Sequence, residues 1–234
     1  MKILKKEIYC QCLSEGKLKS AKGINVPHIN LGKDKLSLKE KKFIKFAIDN
    51  GVNFIGVSFV ESAEYIKKIR KIIKNKKLKV IAKIENQGGL DNMASIIEEA
   101  DGIMIDRGDL SIETKTESIA IYQKTIIKTC KRLSKPVIVA TEMLNSMIEN
   151  PFPSKAEVTD ISNAVLDGAS AIMLSGETAV GKYPFKSLEV MRKISDTAEK
   201  NQSVNFIKDQ DGIPAAIGNS IASISSRLKI TKII

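Results

Sequence analysis

The 234-residue chain has one histidine, His28, no tryptophan and three cysteines. A single histidine excludes a histidine-rich metal site and a Ser/His/Asp triad of the usual kind. The Cys10-x-Cys12 pair has no second pair at zinc-ribbon spacing, and an odd count argues against a disulfide framework, so a reducing cytoplasm is the expected setting. Aromatic residues make up only 5%, too few for base-stacking platforms. The net charge of +11 is therefore not read as nucleic-acid binding, and its scattered lysines suit small anions such as phosphates and carboxylates. No apolar run approaches the ~20 residues of a membrane span, and no apolar segment follows the first lysines, so neither a span nor a signal peptide is expected. No glycine-rich dinucleotide fingerprint follows any strand-like run, which argues against a Rossmann fold. Acid–base chemistry is left to lysine, carboxylates, threonine and water.

What is present is a regular beat of helix and strand patterns. Residues 38–50 read as a helix with Phe43, Ile44, Ala47 and Ile48 on one side, ended by Gly51. A strand is expected over 52–59, then a helix capped by Ser62 whose inner stripe is Tyr65, Ile66, Ile69, Ile72 and Ile73. Strands over 79–85, 102–105, 136–141 and 169–174 alternate with helices over 90–100, 119–133, 155–167 and 184–200. Short strands that are apolar throughout, such as Val137-Ile138-Val139-Ala140, predict a parallel sheet buried on both faces. Polar residues at the C-terminal ends of successive strands are the habit of a (β/α)8 barrel, of which about five strands are readable. Residues 1–22 read as short strands turning at Ser14-Glu15-Gly16, and a new helix starts at Pro214 before an apolar run, Ile230 to Ile234.

Three strand ends carry the chemistry. Lys83 and Glu85 lie two apart, so they project the same way, either as an ion pair or as part of a site. Asp109 follows Gly108, where the missing side chain lets backbone N–H groups approach an anion. Carboxylates from adjacent strand ends suit a hard cation such as Mg2+. Thr141 ends the next strand, as a pocket hydroxyl or as a helix N-cap. Ser175-Gly176-Glu177-Thr178 suits a tight turn facing a ligand.

Three lookalikes are set aside. Gly176 to Lys182 spells a phosphate-binding loop, but Tyr183 stands where Ser or Thr is required. Arg107-Gly108-Asp109 spells an adhesion tripeptide without a secretion signal. The lysines of residues 67–79 form the solvated face of a helix with a buried isoleucine stripe.

Taken together, the runs resemble the pyruvate kinase family. The resemblance rests on Lys83-Ile84-Glu85-Asn86, Arg107-Gly108-Asp109-Leu110, Thr141-Glu142-Met143-Leu144, Pro153-Ser154-Lys155-Ala156-Glu157 and Ile172-Met173-Leu174-Ser175-Gly176-Glu177-Thr178-Ala179, in family order. The segment from Gly16 to Pro27 resembles the exit from that family's lid domain. The resemblance implies an α/β chain carrying part of a TIM (β/α)8 barrel. Residues 1–22 would be the tail of the lid, 23–205 the C-terminal part of the barrel, and 206–234 the start of a C-terminal domain. It further implies phosphoryl transfer from phosphoenolpyruvate to ADP, with Mg2+ or Mn2+, and K+ held by residues outside this chain. Lys83 would stabilise the phosphoryl group, and Glu85 and Asp109 would hold the divalent cation. Gly108, Asp109 and Thr141 would bind the substrate carboxylate, Thr141 would lie near the route that protonates the enolate, and Ser175 would face the ligand. The family implies a cytoplasmic homotetramer.

The sequence departs from the family at Asp106 (usually Ala), Ser111 (usually Gly), Gly88 and Val180. No segment matches the family's first barrel strands, which carry a substrate-binding arginine and part of the nucleotide site. Two other readings stand beside the first. One is a non-catalytic fragment, or one that works with a companion chain; the other is a metal-dependent lyase of pyruvate-like acids on the same kind of barrel.

Overall fold

The computed structural model describes residues 2–4, 7–16, 20, 23–25, 36–74, 77–201 and 212–228. An antiparallel pair, β1 (Lys2–Leu4) and β2 (Glu7–Tyr9), comes first. There follow α1 (Leu38–Asp49), β3 (Phe54–Val57), α2 (Ala63–Ile73), β4 (Lys79–Ile84), α3 (Gln87–Asp91), α4 (Met93–Glu99) and β5 (Gly102–Asp106). The chain continues through α5 (Arg107–Glu113), α6 (Ile119–Arg132), β6 (Val137–Ala140), α7 (Lys155–Asp167), β7 (Ala171–Met173), α8 (Gly176–Ala179), α9 (Pro184–Lys200) and α10 (Ile213–Arg227). Strands β3 to β7 pair in chain order and all in parallel, giving the expected α/β architecture. Among the described residues the sheet is open, with β3 and β7 each paired on one side only.

Local chemistry explains most boundaries. Ser37 and Ser154 start α1 and α7 with reciprocal capping boxes to Glu40 and Glu157. Ser62 caps α2, and Pro184 opens α9 where no amide donor is needed. Gly168 ends α7 at φ 100°, a conformation costly for any residue with a side chain.

The core lies between one face of the sheet and the helices. Val80, Ala82, Ile84, Ile103, Ile105 and Val139 are fully buried there, against Ile66, Ile69, Ile96, Ile97, Ile126 and Ile127. The opposite face is different. Ile81, Lys83, Met104 and Ile138 are only half-buried, so the expectation of a sheet buried on both faces fails.

Other expectations are corrected in detail. Phe43 is 61% exposed, and Ile44 and Ala47 carry the buried side of α1. β3 stops at Val57 because the chain turns at Phe59 (φ 53°), whose amide is drawn to Glu85. The helix expected over 90–100 is two helices. Asn92 breaks it, donating through its side chain to the carbonyls of Glu61 and Gly88. β6 and β7 are shorter than expected, and the chain's first strands precede Ser14, which is a bend and not their turn. The segment 26–35, with His28, and the run 229–234 lie outside the described residues, as do several residues of the segment from Gly16 to Pro27.

The N-terminal ends of the strands hold a stabilising cluster. Asp101 accepts from the Val80 amide at 2.8 Å and from Arg70 Nη2 at 3.0 Å, with Lys79 Nζ at 3.3 Å. Burial alone would raise its carboxyl, but the Val80 amide, Arg70 and Lys79 outweigh it and hold it below the ordinary aspartate value. Its stabilisation is therefore present above the unfolded value of about 3.9 and lost as pH falls through the lower folded value. Asp101→Asn is expected to cost about 2 kcal/mol at pH 7 and to flatten the acid limb of the stability curve, checked by urea unfolding from pH 2 to 7.

Thiol environments also separate cleanly. Cys10 and Cys12 are exposed, while Cys130 is buried in α6 and burial pushes its thiol up to about 12. With a disulfide reagent at pH 8, two thiols are expected to react at once and the third only after denaturation.

Candidate active site at the strand C-termini

Five consecutive strand ends point their last residues to one rim. Ser58 follows β3, Glu85 follows β4, Gly108 and Asp109 follow β5, Thr141 follows β6 and Ser175 follows β7. Lys83 leaves β4 on the half-covered face, where its stem passes Gly56 of β3; a Cβ built on that glycine would sit 4.0 Å from Lys83 Cδ, an ordinary contact.

The ammonium of Lys83 is the hub. Its Nζ lies 2.5 Å from Glu85 Oε1, 2.9 Å from Asp106 Oδ2 and 3.4 Å from Ser58 Oγ. Burial draws its pKa down, but pairing with Glu85 and Asp106 outweighs this and holds it above the ordinary lysine value. Glu85 is completely buried. Its Oε2 accepts the Phe59 amide at 2.5 Å, whereas Oε1 touches the ammonium but accepts no hydrogen bond of ordinary geometry. Burial raises the Glu85 carboxyl more than Lys83 and the Phe59 amide lower it, and the neighbouring Asp106 adds to the rise.

Asp109 stands in the first turn of α5, its Oδ1 accepting from Asn25 Nδ2 at 3.3 Å. One carboxylate oxygen each from Glu85, Asp106 and Asp109 lie within 4.8 Å of one another. Hard oxygen donors so close together fit a divalent cation of the magnesium class.

Thr141 is joined to the same cluster. Its hydroxyl lies 3.1 Å from Asp106 Oδ1 and accepts the Gly108 amide at 2.8 Å. The Gly108 N–H is thus engaged by the threonine. Thr141 caps no helix; it adopts φ 68°, and Glu142 follows at φ 54°. Two successive left-handed residues, one of them β-branched, are strained by about 1–3 kcal/mol each and persist only where something holds them.

Arg107 is that holder, and sequence reasoning missed it. The side chain is buried, its Nε and Nη2 donating to the Thr141 carbonyl at 3.2 and 2.9 Å and Nη2 to the Glu142 carbonyl at 2.9 Å. Nη1 pairs with Asp160 Oδ2 on α7 at 2.6 Å. No local signal announced it, because Asp160 is 53 residues away in the chain. Glu177 was also read only as part of a turn. It is buried and accepts the amides of Leu144 at 2.9 Å and Ser175 at 2.8 Å, fixing the β6 loop to the β7 end. Ser175 itself stands apart: among the described residues no hydrogen bond joins its hydroxyl to the Lys83 cluster. At Gly88 a Cβ would lie 3.0 Å from Glu61 Cγ, so a larger residue there requires the Glu61 side chain to shift.

The fold is a parallel β/α sheet of the barrel type, and its C-terminal rim gathers an ammonium, three carboxylates and a hydroxyl. The family model described as pyruvate kinase, barrel domain matches residues 1–188. A pyruvate kinase of Staphylococcus saprophyticus is 40% identical over 237 residues, covering 97% of this chain and 40% of that protein. A pyruvate kinase of Staphylococcus aureus strain USA300 is 40% identical over 238 residues, covering 98% of this chain and 41% of that protein. The chain belongs to the pyruvate kinase family, and it spans about 40% of the length of these curated relatives.

Proposed function

We propose that this chain carries the phosphoryl-transfer and cation-holding part of a pyruvate kinase site, acting between phosphoenolpyruvate and ADP to give pyruvate and ATP. The observation that carries the reading is the contact of Lys83 Nζ with two carboxylates at one strand rim. Phosphoryl transfer leaves negative charge spread over equatorial oxygens, and a fixed ammonium stabilises it without reorganisation. Glu85 and Asp109 would hold Mg2+ or Mn2+, which supplies charge neutralisation at the phosphate oxygens. Gly108, Asp109 and Thr141 would bind the substrate carboxylate, and Ser175, which makes no hydrogen bond to the Lys83 cluster among the described residues, would meet only the ligand. As the P–O bond of phosphoenolpyruvate breaks, its electron pair becomes the enolate. A proton must then reach the methylene carbon, and the Thr141 hydroxyl with solvent supplies the route. K+ completes the proposed ion requirement.

In domain terms, we assign residues 1–22 to the tail of a lid, 23–205 to the barrel and 206–234 to the start of a C-terminal domain. The proposed setting is the cytoplasm, with a homotetramer as the family's assembly. Among the described residues, no helix is long and apolar enough to cross a membrane.

A second reading has its own observation. Among the described residues the outer edges of β3 and β7 have no strand partner, and Phe54 is 62% exposed, which favours action with a companion that covers them. The test is one assay: the chain with phosphoenolpyruvate, ADP, Mg2+ and K+, measuring pyruvate and ATP. Equimolar products that require ADP are expected. Pyruvate and inorganic phosphate formed without ADP would mean that water takes the phosphoryl group and would overturn the transfer reading. A lyase would instead show as ADP-independent cleavage of a pyruvate-like acid, and substrate binding without turnover would favour the companion reading.

A further inference from the structure

We propose that Asp106 is a third carboxylate ligand of the divalent cation, and that it trades anion affinity for cation affinity at this site. The inference rests on the reading of Glu85 and Asp109 as cation ligands. Asp106 closes β5, buried, with Oδ2 turned to Lys83 and Oδ1 to Thr141, so its carboxylate already lies inside the cluster and not on its rim. The oxygens of Glu85, Asp106 and Asp109 span 4.8 Å at most. On an octahedral ion with bonds of about 2.1 Å, cis oxygens lie about 3.0 Å apart and trans oxygens about 4.2 Å, so the three carboxylates share one ion once their oxygens draw together by up to about 1.8 Å.

A second observation bears on the same ion. Lys83 Nζ lies 2.5 Å from Glu85 Oε1 and 2.9 Å from Asp106 Oδ2, so these two carboxylates already converge on one positive centre.

Charge then sets the consequence. Three carboxylates against one ammonium leave two formal negative charges in surplus, which one divalent cation balances. With Glu85 and Asp109 alone, the loaded site would keep one positive charge to attract an anion. Asp106 removes that surplus. It therefore strengthens the hold on the cation and weakens the hold on an anionic substrate.

The experiment titrates the full chain with Mn2+, following free Mn2+ by its electron paramagnetic resonance signal. Asp106→Ala and Asp106→Asn are expected to bind Mn2+ about 10- to 100-fold more weakly than wild type. At saturating Mn2+, calorimetry is expected to show phosphoenolpyruvate binding about tenfold tighter to Asp106→Ala than to wild type. Asp106→Asn keeps the acceptor for Thr141 and carries the test should Asp106→Ala fail to fold. Unchanged Mn2+ affinity in folded Asp106→Asn, with Glu85→Gln abolishing it, would overturn this inference alone. No Mn2+ binding by wild type would overturn the cation site of the proposed function and this inference with it. Unchanged or weaker phosphoenolpyruvate binding would overturn the trade.

Discussion

Replacing Lys83 by methionine is expected to lower phosphoryl transfer by two to three orders of magnitude while tightening divalent-cation binding. Both effects follow from one contact set. The ammonium is the positive group that Glu85 and Asp106 share, at 2.5 and 2.9 Å, and methionine keeps its volume but removes its charge. The transferred phosphoryl group loses its fixed counter-charge. The carboxylates lose theirs too, and Glu85 is completely buried, so the cation-free variant is expected to be destabilised by about 3 kcal/mol. Mg2+ binds the folded state and should restore most of that, raising Tm far more in Lys83→Met than in wild type. Thermal unfolding with and without 10-mM-range Mg2+, beside a transfer assay, reads both arms. Full transfer activity in the variant would remove Lys83 from the role given to it.

The second large effect is on Arg107. Arg107→Ala leaves Asp160 without its buried partner and releases the carbonyls of Thr141 and Glu142 from the left-handed turn. Arg107 is buried but Asp160 is 38% exposed, so the cost is set below that of a fully buried pair, at about 2–3 kcal/mol, which for a domain of this size is a fall in Tm of about 5–10 °C. The loss should extend to ligand binding, because the turn sets the Thr141 hydroxyl beside Asp106 and the Gly108 amide. Arg107→Lys keeps the charge but cannot fork to two carbonyls and a carboxylate, so it should recover only part of the stability. Differential scanning calorimetry of the three proteins checks this. An unchanged Tm in Arg107→Ala would mean that the turn is held by something else.

The β/α beat was legible because each buried strand is a short apolar run and most helices carry a cap or a stop that acts locally. Lys155 to Asp167 illustrates this, with Ser154 and Glu157 before it and Gly168 after it. Lys83, Glu85, Asp109 and Thr141 were legible as strand-end polar residues in family order. Features that depend on distant partners were not. Phe59 shortens β3 to reach a carboxylate 26 residues on, and Arg107 reaches Asp160 on another helix. Asn92 looks like any helix residue until its side chain meets the Glu61 carbonyl. The half-covered sheet face was also hidden, because apolar residues such as Ile81 and Met104 read the same whether a second layer covers them or not. Asp106 was visible as a departure, but its contacts with both Lys83 and Thr141 needed coordinates.

The most direct test of the shared cation pocket is a crystal soaked in Mn2+ and mapped by its anomalous scattering. The account predicts one strong peak within bonding reach of the Glu85 and Asp109 carboxylates, beside Lys83. Mn2+ bound only elsewhere, with that rim empty, would contradict it.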